Sequence, residues 1–280
     1  MSAKLQMALS MVIYGTISLF VRHIPMSSAE VALFRAVIAL VCLTAFKRLR
    51  GEAVSLRGMG GDLPLLFFSG AAMGFNWIFL FEAYKYTTVS VATLSYYFAP
   101  VIVMAACPVL FHEKVTKAQV ICFVGATVGL VLVINPGGMS AGGTHLKGVA
   151  FGLAAAALYA SVILMNKKMT RASGIDRTLW QFAAAALVLA PYVLMTTGID
   201  VGGMDPAGWA CLLTLGLVHS GLAYVLYFSA LGSLPGQQTA ILSYVDPLVA
   251  VALSMTVLRE PVLPLQMLGG AMILVFTLVN

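Results

Sequence analysis

The sequence predicts an all-α polytopic membrane protein in which ten transmembrane helices form two inverted five-helix repeats. The first observation is composition: 61% of the 280 residues are hydrophobic and 9% are charged, whereas soluble domains carry about 25% charged residues. Such a chain has too little polar surface to cover a globule in water, so its excess apolar surface must face lipid. The other two observations are the lengths of the apolar segments and an internal repeat.

Ten apolar segments come close to the roughly 20 residues that a helix needs to cross a bilayer. Numbered in chain order as spans 1 to 10, they are residues 5–22, 28–46, 63–83, 88–111, 117–134, 147–165, 178–196, 208–231, 237–258 and 262–279. Strands of a membrane barrel would instead show segments of about ten residues with alternating hydrophobicity. The segments therefore predict helices.

An internal repeat relates residues 74–119 to residues 221–266 at a constant shift of 147 positions. Tyr97 aligns with Tyr244, and pairs of Gly, Phe, Pro, Glu and Gln keep the same register without a gap. Each half holds five spans, and because five is odd, the second copy enters the membrane from the opposite side. Inverted repeats of this kind are typical of secondary transporters.

The repeat divides the chain into a first five-helix repeat, residues 1–134, an external linker, residues 135–146, and a second five-helix repeat, residues 147–280. The linker contains the stretch NPGGMSAGGTH, whose Pro, Gly and Ser content favours flexibility. No GK[ST] follows it, so it is not a phosphate-binding loop. The four cysteines lie in apolar spans without a CxxC or Cys/His cluster, and we expect neither a cofactor nor a metal.

The basic residues are distributed unevenly between the two sides of the membrane. The side of the amino terminus holds eleven of them: Lys4, Lys47, Arg48, Arg50, Arg57, Lys114, Lys117, Lys167, Lys168, Arg171 and Arg177. The opposite side holds Arg22, Lys85, Lys147 and Arg259. The positive-inside rule therefore predicts that both termini are cytoplasmic. The same rule explains the net charge of +6 without a nucleic-acid partner.

Four stretches resemble the EamA-type branch of the drug/metabolite transporter superfamily. They are YGTIS at 14–18, FRAVIALVCL at 34–43, SYYFAPV…LFHEKVTKAQVICFVGATVGLVLV at 95–133 and SYVDPLV…VLREPVLPLQMLGGAMILV at 243–275. Their order and duplication carry a resemblance that covers nearly the whole chain. It departs from the family at Tyr14, where members often have Trp, and at Asp246. The resemblance implies a transporter of the bacterial inner membrane, similar to exporters of amino acids.

Polar side chains inside the spans are the candidates for a substrate path, because they should face the bundle interior or a water-filled cavity. Ser90, Thr93 and Tyr97 fall at helical spacing on one face of span 4. The repeat maps this face onto Gln237 and Tyr244 in span 9. We expect spans 3, 4, 8 and 9 to surround a central cavity that is rich in aromatic rings and almost uncharged.

Eleven residues are predicted to bind substrate, and each has a structural alternative. They are Tyr14, Thr16, Asn76, Trp77, Ser90, Thr93, Tyr97, Tyr159, His219, Gln237 and Tyr244. A Ser, Thr or Tyr within a span can instead hydrogen-bond its own backbone or a neighbouring helix, and a Trp can pack against lipid. Both interpretations stay open at this stage.

Two prolines, Pro100 and Pro247, occupy equivalent positions within spans 4 and 9. Proline removes a backbone hydrogen bond and kinks a helix, so we predict that both are hinges. Asp246 follows Tyr244 by two positions and therefore points away from the tyrosine face. A bond to another helix and titration both remain open for it.

The other charged residues within or beside the spans favour structural roles. Ser27 and Glu30 form an S-x-x-E capping box at the start of span 2. Arg35 lies inside that span, and we favour a structural role for it over a role in lining the path. Glu113 and Glu260 precede spans 5 and 10, at helix ends that carry positive partial charge.

Small residues at every fourth position form a packing seam in span 6, at Gly148, Gly152, Ala156 and Ala160. Such seams let helices approach closely. We favour packing within one chain, and hence a monomer, with a homodimer as the alternative.

The leading functional hypothesis is a secondary transporter that exports amino acids, with large neutral or aromatic side chains favoured, by alternating access. Its partners are then the small-molecule substrate and the lipid bilayer. The alternatives are an exporter of other small hydrophobic metabolites or drugs, and a passive channel. The sequence has no HExxH or Asp-rich motif, which argues against an enzyme. Proton coupling and downhill efflux are both left open.

Overall fold

The protein is described here from a computed structural model, which covers residues 1–54, 56, 59–112, 116–134, 143–172, 174–231, 233–234 and 242–279. Its α-helices are α1 (Ala3–Gly15), α2 (Ile17–Val21), α3 (Ser28–Leu49), α4 (Leu63–Tyr86), α5 (Val89–Tyr96), α6 (Ala99–Phe111), α7 (Lys117–Ile134), α8 (Gly143–Lys168), α9 (Gly174–Thr196), α10 (Pro206–Thr214), α11 (Ala223–Leu231), α12 (Val245–Thr256) and α13 (Pro264–Val279). A π-helix, Leu215–Leu222, joins α10 to α11. Within these ranges the chain forms no strand.

The predicted all-α membrane class is confirmed. In the described part of the chain, seven helical segments are long and apolar enough to cross a membrane: Ala3–Val21, Ser28–Leu49, Gly60–Tyr86, Val89–Phe111, Gly143–Lys168, Gly174–Thr196 and Pro206–Ala230. Shorter apolar helices at Lys117–Val133, Val245–Thr256 and Pro264–Phe276 coincide with predicted spans 5, 9 and 10. The chain is therefore a polytopic membrane protein.

Predicted spans 1, 4 and 8 are not continuous α-helices. Span 1 breaks at Thr16, between α1 and α2. Span 4 breaks between Tyr96 and Ala99, where α5 ends and α6 begins. Span 8 changes to π-helical geometry at Leu215–Leu222. At a break inside a bilayer, the freed backbone groups must face protein or water. These breaks are therefore candidate positions for a substrate path.

The predicted hinge prolines lie in the first turns of helices. Pro100 is the second residue of α6, and Pro247 is the third residue of α12. A first-turn N–H has no intrahelical partner, so a proline there removes no helical hydrogen bond. The prolines therefore stand at the starts of helices instead of kinking helix interiors, and their role as hinges stays a prediction.

The chain forms two compact units: unit 1 comprises Met1–Ile78 and Met165–Asp246, and unit 2 comprises Phe79–Leu164 and Pro247–Asn280. Each unit takes segments from both predicted repeats. The predicted linker, 135–146, lies outside the described residues up to position 142, and α8 already begins at Gly143. Unit 1 packs α3 on α9 and on the π-helix, and α1 on α11.

Unit 2 is packed through small residues. A Cβ on Gly148 would lie 2.7 Å from Thr87 Cβ, and a Cβ on Gly152 would lie 2.9 Å from Ser95 Cβ. Further along the same seam, the buried residues Ala156 and Ala160 belong to one cluster with Ala99, at the start of α6. The seam predicted in span 6 therefore packs within the chain, as we favoured.

Two carboxylates fix helix starts. Glu30 accepts the Ser27 N–H at 2.9 Å while Ser27 Oγ accepts the Glu30 N–H at 3.2 Å, which confirms the capping box. In unit 2, Glu260 accepts the N–H of Val89 at 2.8 Å and the hydroxyl of Ser254 at 2.6 Å. Its carboxylate is thus structural, and it caps the start of α5. Glu113 lies outside the described residues.

Candidate functional site

The π-helix Leu215–Leu222 builds the centre of a polar cluster in unit 1. π-helices are rare and are frequently found at functional sites. Gly216 lets the π-helix approach α3 closely, because a Cβ there would lie 2.5 Å from Ile38 Cγ2. His219 and Ser220 follow on the π-helix, and both are buried.

His219 joins the π-helix to the break in span 1. Its Nε2 lies 2.8 Å from Thr16 Oγ1, and its Nδ1 lies 3.2 Å from the carbonyl oxygen of Thr214. Because a carbonyl only accepts, a proton on Nδ1 serves Thr214. The single proton of the Thr16 hydroxyl has two acceptors within reach, Nε2 of this neutral ring and the Ile13 carbonyl oxygen at 2.7 Å. The Phe20 ring lies 4.8 Å from the imidazole, centre to centre. The break at Thr16 thus places a hydroxyl where the imidazole can use it.

Arg35 joins α3 to the same π-helix. Its Nε donates to Ser220 Oγ at 2.7 Å, and Ser220 Oγ donates to the Leu215 carbonyl at 3.2 Å. The guanidinium carbon lies 4.4 Å from the centre of the Trp77 ring, a cation–π distance. Arg35 is only 3% exposed. The predicted group of residues was almost uncharged, whereas this cluster contains a buried cation.

Aromatic rings continue from Trp77 in an unbroken series. The Trp77 ring lies 5.5 Å from Phe182, Phe182 lies 5.1 Å from Tyr224, and Tyr224 lies 5.5 Å from Tyr14, all between ring centres. Such edge-to-face or tilted pairs are favourable and hold the rings in fixed orientations. We call the following nine residues the unit 1 cluster: Tyr14, Thr16, Phe20, Arg35, Trp77, Phe182, His219, Ser220 and Tyr224.

Six predicted substrate residues lie in unit 1. Four of them, Tyr14, Thr16, Trp77 and His219, belong to the unit 1 cluster. Asn76 is buried beside Trp77 on α4. Tyr244 lies in the turn before α12 and is partly buried.

Four predicted substrate residues lie in unit 2. Ser90 and Thr93 are buried on α5, and within the described residues their hydroxyls have no hydrogen-bond partner. Tyr159 is 40% exposed and stacks on Tyr96 with 5.3 Å between ring centres. Tyr97 meets the same Tyr96 ring at 5.9 Å. The remaining predicted residue, Gln237, lies outside the described residues.

Sequence reasoning missed four members of the unit 1 cluster as binding candidates: Phe20, Phe182, Ser220 and Tyr224. One signal was present, since the shift of 147 aligns Trp77 with Tyr224. Arg35 was noticed but assigned to structure. Among the described residues, no group of three or more His, Cys, Asp or Glu could hold a metal ion. What the cluster offers chemically is hydrogen bonding, one positive charge and aromatic surface.

Comparisons with known proteins give one family match and several relatives, most of them named as transporters. A sequence profile described as "EamA-like transporter family" matches residues 1–135 and 146–280. The chain is 29% identical to "Uncharacterized transporter YxxF" of Bacillus subtilis (strain 168), over 90% of this chain and 80% of that protein. It is 27% identical to an "Uncharacterized transporter" of Archaeoglobus fulgidus, over 97% and 93%.

Two further comparisons extend the match. The chain is 29% identical to "Protein PecM" of Dickeya dadantii (strain 3937), over 75% of this chain and 70% of that protein. A protein of known crystal structure shares the fold with a TM-score of 0.69, over 99% of this chain and 96% of the other, at 17% identity.

Proposed function

Since this chain belongs to the EamA-like transporter family, and is thus a membrane transporter and not an enzyme, we propose that it exports amino acids across the bacterial inner membrane. Amino acids with large neutral or aromatic side chains are the favoured substrates. The observation that carries this proposal is the unit 1 cluster, which combines a series of aromatic rings with buried hydrogen-bonding groups.

The chemistry of the cluster suits a zwitterion with an apolar side chain. The rings of Trp77, Phe182 and Tyr224 offer apolar area and stacking surface, while His219 and Thr16 offer hydrogen bonds. A phosphorylated metabolite carries two negative charges and would call for several cations, whereas the cluster contains the single cation Arg35. A zwitterion has no net charge and therefore matches a site with few fixed charges.

The inverted-repeat architecture and alternating access form part of the proposal. Gly74 in span 3 packs on span 7, where its Cβ would lie 3.0 Å from Leu189. Its repeat partner Gly221 in span 8 packs on span 2, where its Cβ would lie 3.1 Å from Cys42. Inverted repeats exchange span 3 with span 8 and span 7 with span 2, so these two contacts support the symmetry.

We propose a cytoplasmic location for both termini on the basis of the basic-residue count. A reporter enzyme that is active only in the periplasm, fused after position 280, should give no signal. A strong signal would refute this topology: the fused end would lie in the periplasm, and each loop would lie on the side of the membrane opposite to the one proposed.

Transport itself is tested in proteoliposomes loaded with labelled phenylalanine. We expect saturable efflux that His219→Ala lowers about tenfold, because a buried hydrogen-bonding group is lost. His145→Ala is the matched control: this histidine is also buried, and it bonds Thr87 Oγ1 at 2.9 Å in unit 2. It should keep efflux within about twofold of wild type, since a packing histidine that is not part of the unit 1 cluster contributes little to binding.

Three other results would decide against the proposal. Efflux of every amino acid at the rate of empty liposomes excludes amino-acid export. In that case, saturable efflux of an uncharged hydrophobic compound supports the alternative exporter of metabolites or drugs. Rapid efflux that does not saturate supports a channel.

A further inference from the structure

We propose that Arg35 binds the carboxylate of the exported amino acid and thereby restricts export to substrates with a free carboxylate. This inference rests on the proposed function and names the group of the substrate that the site recognises. It reassigns Arg35 from the structural role that the sequence favoured to a role in specificity.

The depth of Arg35 in the membrane argues for function. It is the eighth residue of α3, about 10 Å along the helix from its start at 1.5 Å per residue. Its side chain is almost completely buried. A cation at such a depth is costly, and in membrane proteins it marks a substrate or ion path by default.

The surroundings of Arg35 orient its guanidinium. Ser220 Oγ fixes Nε at 2.7 Å, and the Trp77 ring covers one face at 4.4 Å. A planar group that is held at one nitrogen and along one face has a defined edge for its two Nη atoms. That edge matches the two oxygens of a carboxylate, which Arg binds with paired hydrogen bonds.

The same surroundings place an apolar surface beside the charge. Trp77 contacts both the guanidinium and Phe182, and the ring series continues to Tyr224. A ligand with a carboxylate at Arg35 can therefore lay a large side chain along the rings. Amino acids have this arrangement of an acid group next to a side chain, and amines of the same side chain lack the acid.

A purely structural role for Arg35 predicts a different result. If its only task were to hold α3 to the π-helix, replacing it would weaken the binding of ligands with and without a carboxylate equally. The two roles therefore separate when both kinds of ligand are compared on wild type and on Arg35→Met.

The first experiment measures how well unlabelled compounds inhibit labelled phenylalanine efflux from wild-type proteoliposomes. We expect 3-phenylpropionate to inhibit, and phenylalaninamide and phenethylamine to inhibit about tenfold to hundredfold less well than phenylalanine, the range of a charge-assisted hydrogen bond. Equal inhibition by all four compounds overturns the assignment of Arg35 while leaving amino-acid export intact. If no amino acid is transported, the proposed function fails and the assignment fails with it.

The second experiment compares variants. In Arg35→Met, the phenylalanine KM should rise about tenfold to hundredfold while inhibition by phenylalaninamide stays unchanged, and Arg35→Lys should recover part of the loss. Arg48→Met is the matched control, since Arg48 is an exposed arginine of the same helix. An equal loss of affinity for phenylalanine and its amide in Arg35→Met, or no loss for either, overturns the assignment. If Arg35→Met does not fold, Arg35→Lys replaces it: a greater loss of affinity for phenylalanine than for its amide supports the assignment, and equal changes for both ligands overturn it.

Discussion

The unit 1 cluster and helix α5 of unit 2 bury polar side chains among apolar helices in different ways. In the unit 1 cluster, polar groups of different helices bond each other, as Arg35 does with Ser220 and His219 with Thr16. In unit 2, the hydroxyls of Ser90, Thr93 and Ser95 are buried on α5, and the described residues offer them no hydrogen-bond partner. There α5 is held by close contact with the glycine seam of α8.

The difference shows which interaction holds each of these two regions. Between membrane helices the hydrophobic effect contributes little, so association depends on van der Waals contact and on interhelical hydrogen bonds. The contact of α5 with α8 relies mainly on close van der Waals contact at glycines, and the unit 1 cluster adds interhelical hydrogen bonds. Enlarging a glycine should therefore harm the α5–α8 contact, and removing one hydrogen-bonding group should harm the unit 1 cluster.

The largest effect is expected for Gly152→Val on the seam of α8. A Cβ there would lie 2.9 Å from Ser95 Cβ and 3.2 Å from the Ala92 carbonyl oxygen, and the backbone atom cannot rotate away. We expect a loss of about 3 kcal/mol in stability, at the upper end of overpacking costs, measured as thermal unfolding of the detergent-solubilised protein.

The same helix supplies the control for this substitution. At Gly143 a Cβ would meet nothing within 4 Å, so Gly143→Val should leave the unfolding temperature almost unchanged. Equal unfolding temperatures for both variants would mean that the seam does not hold α8 to α5.

The next effect is expected for Ser220→Ala in unit 1. It removes the hydroxyl that accepts the Arg35 Nε–H, and hydrogen bonds to charged groups contribute about 1.5–3 kcal/mol. We expect a lower unfolding temperature together with a higher phenylalanine KM. Ser10→Ala is the control, because Ser10 is equally buried but, among the described residues, its hydroxyl bonds the Met7 carbonyl of its own helix, at 2.7 Å.

A drop in unfolding temperature as large for Ser10→Ala as for Ser220→Ala would show that the loss comes from removing any buried hydroxyl in unit 1. The interhelical hydrogen bonds of the unit 1 cluster would then contribute no more to stability than other buried hydroxyls do, and the comparison with α5 would lose its basis.

Much of the fold could be predicted because its causes are local or compositional. Apolar length marks the spans, and the Ser27–Glu30 box marks the start of α3 at the predicted residue. The break at Thr16 and the π-helix could not be predicted. Both irregularities are stabilised by packing between segments that are distant in sequence, such as the close approach of Gly216 to Ile38. No local sequence pattern predicts such a contact.

The site could be predicted only in part for the same reason. His219, Thr16 and Trp77 were found because a polar or aromatic side chain inside a span is conspicuous. Ser220 was missed because regular α-helical spacing puts consecutive residues about 100° apart around the axis, whereas the π-helix brings both His219 and Ser220 into the cluster. The partner of Arg35 lies 185 positions away, so its placement required the tertiary structure.

The smallest effect on stability is expected for Thr93→Val in unit 2, which replaces a hydroxyl by a methyl group of similar shape. Because the Thr93 hydroxyl is buried without a partner among the described residues, its removal should be neutral or stabilise by up to about 1 kcal/mol. Thr16→Val makes the same change in unit 1, where the hydroxyl bonds His219, and it should destabilise by about 1 kcal/mol.

Transport measurements distinguish a substrate-binding role of Thr93 from a packing role, which stability measurements alone do not. If Thr93 binds substrate, as its position on the polar face of span 4 predicts, its hydroxyl finds its partner in the ligand. Thr93→Val should then raise the phenylalanine KM several-fold at an unchanged unfolding temperature. An unchanged KM would make Thr93 a packing residue, and substrate recognition would then rest on the unit 1 cluster. A lower unfolding temperature would mean that the Thr93 hydroxyl is hydrogen-bonded in the folded protein. Each result therefore assigns the α5 hydroxyls either to packing, as the glycine seam suggests, or to the substrate.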